Sequence, residues 1–169
     1  IILGGLGFFV LDDVRKKASY YTRRILFRRT ESIYAPRLSF YSKVVLQTTA
    51  CLLACGAIFI FFVELLNEDF TSFDLSDRIL AALFESVTSR TAGSATVNQA
   101  AFSDITLLIV IFLMFIGGSP GSCAGGIKTT TFRILVSHLF SRLKGREKVV
   151  VGRRAIDAVI VNKSLLLFY

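Results

Sequence analysis

Tryptophan is missing from this chain altogether, histidine and methionine occur once each (His138, Met114), and proline only twice (Pro36, Pro120). Charge is scarce as well, at 19% Asp, Glu, Lys and Arg, against a hydrophobic fraction of 53%. A mean hydropathy of +0.63 is high for a soluble domain and points to a chain that lives largely in lipid. One histidine and three cysteines leave no four-ligand metal set. Cys51 and Cys55 share a helix face, but no further Cys or His completes the site. With Cys123 they read as small apolar fillers, and His138 reads as an interfacial residue. Met114 leaves no initiator, and the chain opens and stops inside apolar runs. It therefore reads as the middle of a longer polypeptide, in which no signal peptide can be assigned.

What charge there is falls in blocks. Nine Lys/Arg lie between Asp12 and Lys43, including Arg15, Lys16, Lys17, Arg23, Arg24, Arg28 and Arg29, and six between Ser141 and Arg154. Between Asn67 and Asp104 only Arg78 and Arg90 are basic, against six acidic residues. The positive-inside rule produces this alternation when a chain crosses a bilayer between the blocks. It puts residues 12–43 and 141–154 on the cytoplasmic side of a multi-pass inner (cytoplasmic) membrane protein and 67–104 on the outer side. A net charge of +8 interleaved with apolar spans argues against a groove for nucleic acid.

Ile1 to Leu11 reads as the last turns of a membrane helix arriving at the basic side. The basic stretch that follows reads either as an amphipathic helix on anionic lipid or a cytosolic partner, with apolar Tyr21, Ile25 and Leu26 at helical spacing, or as a solvated loop with one short helix. Pro36 would break any helix there. Val44 to Leu66 holds a single charge, Glu64; as a helix it reaches about 35 Å, enough to span. Leu75 to Thr88 predicts a short helix, with Ser76 a candidate cap, too short and too charged to cross. The polar stretch SRTAGSATVNQ follows, and then a new apolar run. An entry, a polar turn and a return make a re-entrant loop, tolerated at membrane depth only where it lines a watery path.

Ile105 to Ile116 is too short to span, and Ile127 to Phe140 continues it after an interruption. That interruption, GGSPGSCAGG, packs five glycines and Pro120 into Gly117–Gly126 and cannot sustain a helix. Three readings compete. A phosphate-binding loop needs lysine directly after its second glycine, but Ile127 intervenes before Lys128, and no acidic strand follows. A glycine-rich helix-packing surface leaves Pro120 and Lys128 unexplained. A helix broken inside the membrane accounts for both, since Lys128 is costly there unless it faces an aqueous cavity or a carboxylate.

FESVTSRTAGSATVN (Phe84 to Asn98) and MFIGGSPGSCAGGIKTTTF (Met114 to Phe132), in this order, resemble the Trk/Ktr/HKT superfamily of potassium and sodium transporters, most closely the bacterial TrkH/KtrB membrane subunit. GGLGF (Gly4 to Phe8) is similar to the end of the preceding repeat's second helix. The resemblance implies an all-α membrane protein of four helix–pore loop–helix repeats around one pore, a potassium transporter and not an enzyme. Residues 1–40 would close one repeat and add a basic connector, 41–140 would form a complete repeat, the third, with a glycine-broken second helix, and 141–169 would open the next. It implies a selectivity filter at Thr91, Ala92 and Gly93, and a gate in Gly117, Gly118, Ser119, Pro120, Gly121, Ser122, Gly125, Gly126 and Lys128. No cofactor is implied beyond the transported K⁺ or Na⁺. The implied partners are membrane lipid, a second copy in a homodimer, and cytosolic nucleotide-binding regulatory subunits of the TrkA/KtrA type. The chain departs from the family at Ser89, often proline, at Ser94, often aromatic, and at Cys123, often threonine.

The chemistry of the residues agrees with that resemblance. Backbone carbonyls of Thr91, Ala92, Gly93 and Ser94 would replace the water around a cation without adding a charge that traps it. Gly93 permits backbone angles that a side chain would penalise. The helix Leu75 to Thr88 aims its negative end at this stretch. Glu85 reads as a brace for the loop, with Arg90 a partner within reach, ahead of a reading as a cation attractor. Lys128 reads as an electrostatic plug or as a tether to a carboxylate.

Overall fold

The computed structural model describes residues 2–27, 37–67, 74–90, 93–95, 98–99, 102–146, 148–152 and 154–166, with the side chains of 24–27 outside the description. Pro36, Arg28 and Arg29 fall outside it, as do the side chains of the amphipathic positions Ile25 and Leu26. The fold is mostly helical: α1 Ile2–Leu6, α2 Phe8–Phe27, α3 Phe40–Glu64, α4 Leu75–Thr88, α5 Asp104–Phe115, α6 Thr129–Leu143 and α7 Ala158–Leu166. Between α6 and α7 lies a small antiparallel pair, β1 Val150–Val151 with β2 Arg154–Ala155.

The apolar opening is broken at Gly7 (φ 76°), which separates α1 from α2, and α2 then carries the chain as helix from Phe8 into the basic stretch as far as Phe27, the helical one of its two readings. The next helix starts earlier than its apolar run. Ser39 caps α3 by accepting from the Ser42 N–H at 3.1 Å, so the span begins at Phe40. Ser76 does not cap α4. Asp74 holds the cap position, and the Ser76 hydroxyl donates to its carboxylate at 3.0 Å. Ser103 caps α5 by accepting from the Thr106 N–H at 3.3 Å.

α3 is the spine, packing against α2, α4, α5 and α6. Among the described residues it is the one helix long and apolar enough to cross a membrane. Near one end, Leu6, Val10 and Val45 form a core with Tyr41 against it; towards the other, Ile60, Ala82, Val110 and Leu113 form a second. Between them Ser86 of α4 donates to the Leu53 carbonyl at 2.9 Å beside Gly56, a close approach of the kind that joins helices in lipid. Phe59, Phe62, Leu108 and Ile111 stay exposed on α3 and α5, apolar surface that a bilayer or further helices would cover.

The two ends of α3 differ in chemistry. At its start, Arg154 of β2 stacks its guanidinium over the Phe40 ring at 5.0 Å, and Asp13 of α2 docks on the cap, so both basic blocks meet at one end. At its finish, the fully buried Glu64 carboxylate accepts from Asn67 (2.7 Å), from the Ser103 N–H (3.0 Å) and hydroxyl (2.8 Å), and from Thr106. A buried carboxylate is tolerated when its lone pairs are filled in this way, and here it ties the end of α3 to the start of α5.

Asp13 accepts from the Ser42 hydroxyl at 2.6 Å and the Ser39 N–H at 3.3 Å. These bonds, the Ser42 one foremost, hold its carboxyl below the ordinary value of 3.8. A group lowered in the folded state contributes stability above its unfolded value and loses it as pH falls through the folded one. Melting the full-length protein in detergent from neutral to about pH 3 should show a steeper acid loss in wild type than in Asp13→Asn. Equal slopes would discard the latch.

Candidate functional site

Two irregular segments stand out, the turn after α4 and the loop between α5 and α6. The turn begins as α4 unwinds: Ser89 N–H donates to the Glu85 carbonyl (3.0 Å), Ser89 hydroxyl to the Ser86 carbonyl (3.0 Å), and Arg90 N–H to the Val87 carbonyl (3.3 Å). Thr88 then closes the turn on itself. Its hydroxyl donates to the Ser94 carbonyl at 2.5 Å and accepts from the Ser94 N–H at 3.0 Å. A hydroxyl on the last residue of a helix often makes such local bonds, and that was the signal in the sequence that could have marked Thr88. Inside the turn Gly93 takes φ 68° and is exposed, with open space among the described residues where a Cβ would stand. Ser94 is exposed, with its carbonyl on Thr88. Thr91 and Ala92 lie outside the described residues. Behind the turn, buried Glu85 accepts from the Gln99 side-chain amide at 3.0 Å.

The loop after α5 is an interruption, as its glycines and proline predict, but it is not loose. Its ends meet: Ile116 bridges Ile127 in parallel, and the Ile127 N–H donates to the Phe115 carbonyl at 3.0 Å. Gly117 is buried so tightly that a Cβ would collide with the Gly125 carbonyl. The Gly118 carbonyl accepts from the Thr129 N–H at 3.1 Å. Fully buried Ser119 hooks the break between α1 and α2, its N–H donating to the Gly5 carbonyl at 2.9 Å and its hydroxyl to the Leu6 carbonyl. The Pro120 carbonyl accepts from the Tyr41 hydroxyl (3.1 Å) and the Gly121 carbonyl from the Phe8 N–H (3.4 Å). Ser122 turns back, its hydroxyl on the Ser119 carbonyl at 2.6 Å. Gly125 and Gly126 are exposed at the loop's return. Lys128 finds no carboxylate among the described residues; its ammonium donates to the Ala124 carbonyl of the same loop at 2.7 Å.

One side chain joins the two segments. Arg90 reaches from the turn and donates through Nη2 to the Gly117 carbonyl at 2.8 Å. It lines a small cavity with Gly5, Thr49, Leu53 and Gly118; the buried Thr49 hydroxyl there has no partner among the described residues. The element entering the glycine loop is the helix α5, not the strand a phosphate-binding loop requires, and the loop's Ser119, Ser122, Ile127 and Thr129 N–H groups are already spent on carbonyls of the chain.

A helix long and apolar enough to span a membrane, a short helix ending in a glycine turn, and a second helix broken by a stitched loop define a unit of a mostly helical membrane protein. The family model described as TrkH, a cation transport protein, matches residues 1–168, and the chain belongs to that family. The potassium/sodium uptake protein NtpJ of Enterococcus hirae is 34% identical over 169 residues, covering 100% of this chain and 34% of that protein. The Ktr system potassium uptake protein D of Bacillus subtilis is 35% identical over 166 residues, 98% of this chain and 34% of that one. The crystal structure of the potassium transporter TrkH from Vibrio parahaemolyticus superposes with a TM-score of 0.73 at 20% identity, over 99% of this chain and 34% of that one, which shows the shared fold. The chain thus spans about a third of the length of these relatives.

The contact at Gly117 is directly testable. Gly117→Ala overpacks the loop, at a cost of about 1–3 kcal/mol, and should displace it. Gly125→Ala meets nothing within 4 Å and should be silent. In full-length protein with Cys123 as its only cysteine, thiol labelling should speed up severalfold for Gly117→Ala alone; equal rates in both variants would show the loop is not held as described.

Proposed function

We propose that this chain is part of a channel-like potassium uptake protein of the cytoplasmic membrane, with residues 41–140 forming one helix–pore loop–helix repeat. K⁺ sheds water for the backbone carbonyls of Thr91, Ala92, Gly93 and Ser94. The loop from Gly117 to Gly126, with Lys128 at its end, is the barrier a conducting state must move. Residues 12–43 and 141–154 face the cytoplasm and 67–104 the outside. The observation that carries this reading is the turn closed by Thr88 at the C-terminal end of α4, with an exposed left-handed Gly93, in a chain that matches potassium uptake proteins along its whole length. A helix C-terminus contributes roughly half a negative charge, which favours a cation at that turn over an anion.

The arrangement explains how selection and closure are divided. Backbone carbonyls replace hydration around a cation without adding a net charge that would trap it. The ammonium of Lys128, held within its own loop, keeps a positive charge on the barrier without needing a carboxylate. The meeting of both basic blocks at one end of α3 supports a shared cytoplasmic face, where nucleotide-binding regulatory subunits of the TrkA/KtrA type would dock on a homodimer. A sodium-conducting or sodium-coupled variant of the same device is the second reading, favoured by the likeness to a relative named for both potassium and sodium.

Flux through the full-length protein in liposomes tests both halves. Gly93→Ala strains a backbone at φ 68° by about 1–2 kcal/mol and should lower K⁺/Na⁺ discrimination roughly tenfold. Unchanged discrimination counts against the filter, and competition between the two ions in wild type separates the potassium from the sodium reading. Shortening Gly117–Gly126 should raise flux by removing a barrier; a fall in flux at equal protein level would sink the gate.

A further inference from the structure

The bond from Arg90 to the gate loop does a job that neither the filter turn nor the loop does alone. Arg90 lies two residues past the end of α4, its N–H still bonded to the Val87 carbonyl, and its main chain is part of the turn that Thr88 closes on Ser94. Its side chain leaves that turn and ends on the Gly117 carbonyl, 2.8 Å away. Gly117 is a poor place for slack. It is buried, and the Gly125 carbonyl occupies the space a Cβ would need. A shift of the Gly117 peptide therefore carries Gly125 and the return of the loop with it. The next residue is pinned as well, through the Gly118 carbonyl on the Thr129 N–H.

We propose that Arg90 is a positioning residue that couples the filter turn to the gate loop: its guanidinium holds the first turn of the loop in the closed place, in a register set by the backbone of the filter. This rests on the filter-and-gate reading above. A cation held at the turn acts on the backbone that carries Arg90, and the arginine passes that on to Gly117. Conversely, a loop that swings away must break a charge-assisted hydrogen bond in a partly buried setting, where such bonds are stronger than neutral ones. Lysine at this position could still donate to a carbonyl, whereas methionine keeps the bulk and loses the donor, so the pair separates donation from packing.

The test uses full-length protein in liposomes without a regulatory subunit. Arg90→Met should raise K⁺ uptake per reconstituted molecule by about tenfold, the population shift that one lost charge-assisted bond allows. Arg90→Lys should stay near wild type. If Arg90→Met does not assemble, Arg90→Gln, whose shorter amide falls short of Gly117, is measured in its place. A second readout follows the loop itself: with Cys123 as the only cysteine, its labelling rate should change when K⁺ replaces a large impermeant organic cation. That response should vanish in Arg90→Met and return in Arg90→Lys. Uptake that stays level or falls in Arg90→Met, a labelling response that survives it, or a wild type whose labelling ignores K⁺ overturns the coupling. The filter reading fails separately, on the Gly93→Ala discrimination; an Arg90 variant without effect beside an effective Gly93→Ala refutes the coupling alone.

Discussion

A peptide group left without a partner in a low-dielectric setting costs several kcal/mol, so non-helical backbone between two apolar helices must find bonds elsewhere. That constraint governs the segment 116–128. Its groups are answered from every neighbouring direction: by the end of α5 at Phe115, by the start of α6 at Thr129, by the α1–α2 break at Gly5 and Leu6, by Tyr41 of α3 and by Arg90 of the turn after α4. A loop of this composition would otherwise be the least stable part of the fold. Its glycines cost helix propensity but allow the backbone to approach backbone closely enough for these bonds to form.

The rest of the architecture supplies fixed points for that loop. α3 packs against α2 near its start and against α4 and α5 farther along, so the turn and the loop are both referred to the same rod. Glu64 locks the far end of that rod to the beginning of α5, and Asp13 locks the near end to α2. Both locks are carboxylates whose oxygens are filled by hydroxyl and amide donors.

Local signals carried far in the sequence. The apolar run of Val44 to Leu66 marked α3, and five glycines with Pro120 marked the interruption between α5 and α6. The pairing of the two motifs marked the family, which the match over residues 1–168 establishes. What periodicity could not reveal were contacts between residues far apart in the chain. Ser119 on Gly5 and Leu6, Tyr41 on Pro120, and Arg90 on Gly117 follow from how helices pack, and no spacing rule encodes them. Lys128 illustrates the same gap. The cost of a lysine between two apolar runs was legible, but its partner, the Ala124 carbonyl, depends on how the loop turns back.

The hook of Ser119 on the α1–α2 break has a further consequence. The stretch that looks like a self-contained unit along the chain, 41–140, takes backbone bonds from residues that precede it. Cut out and moved elsewhere by itself, that stretch would leave Ser119 reaching for carbonyls that did not travel with it.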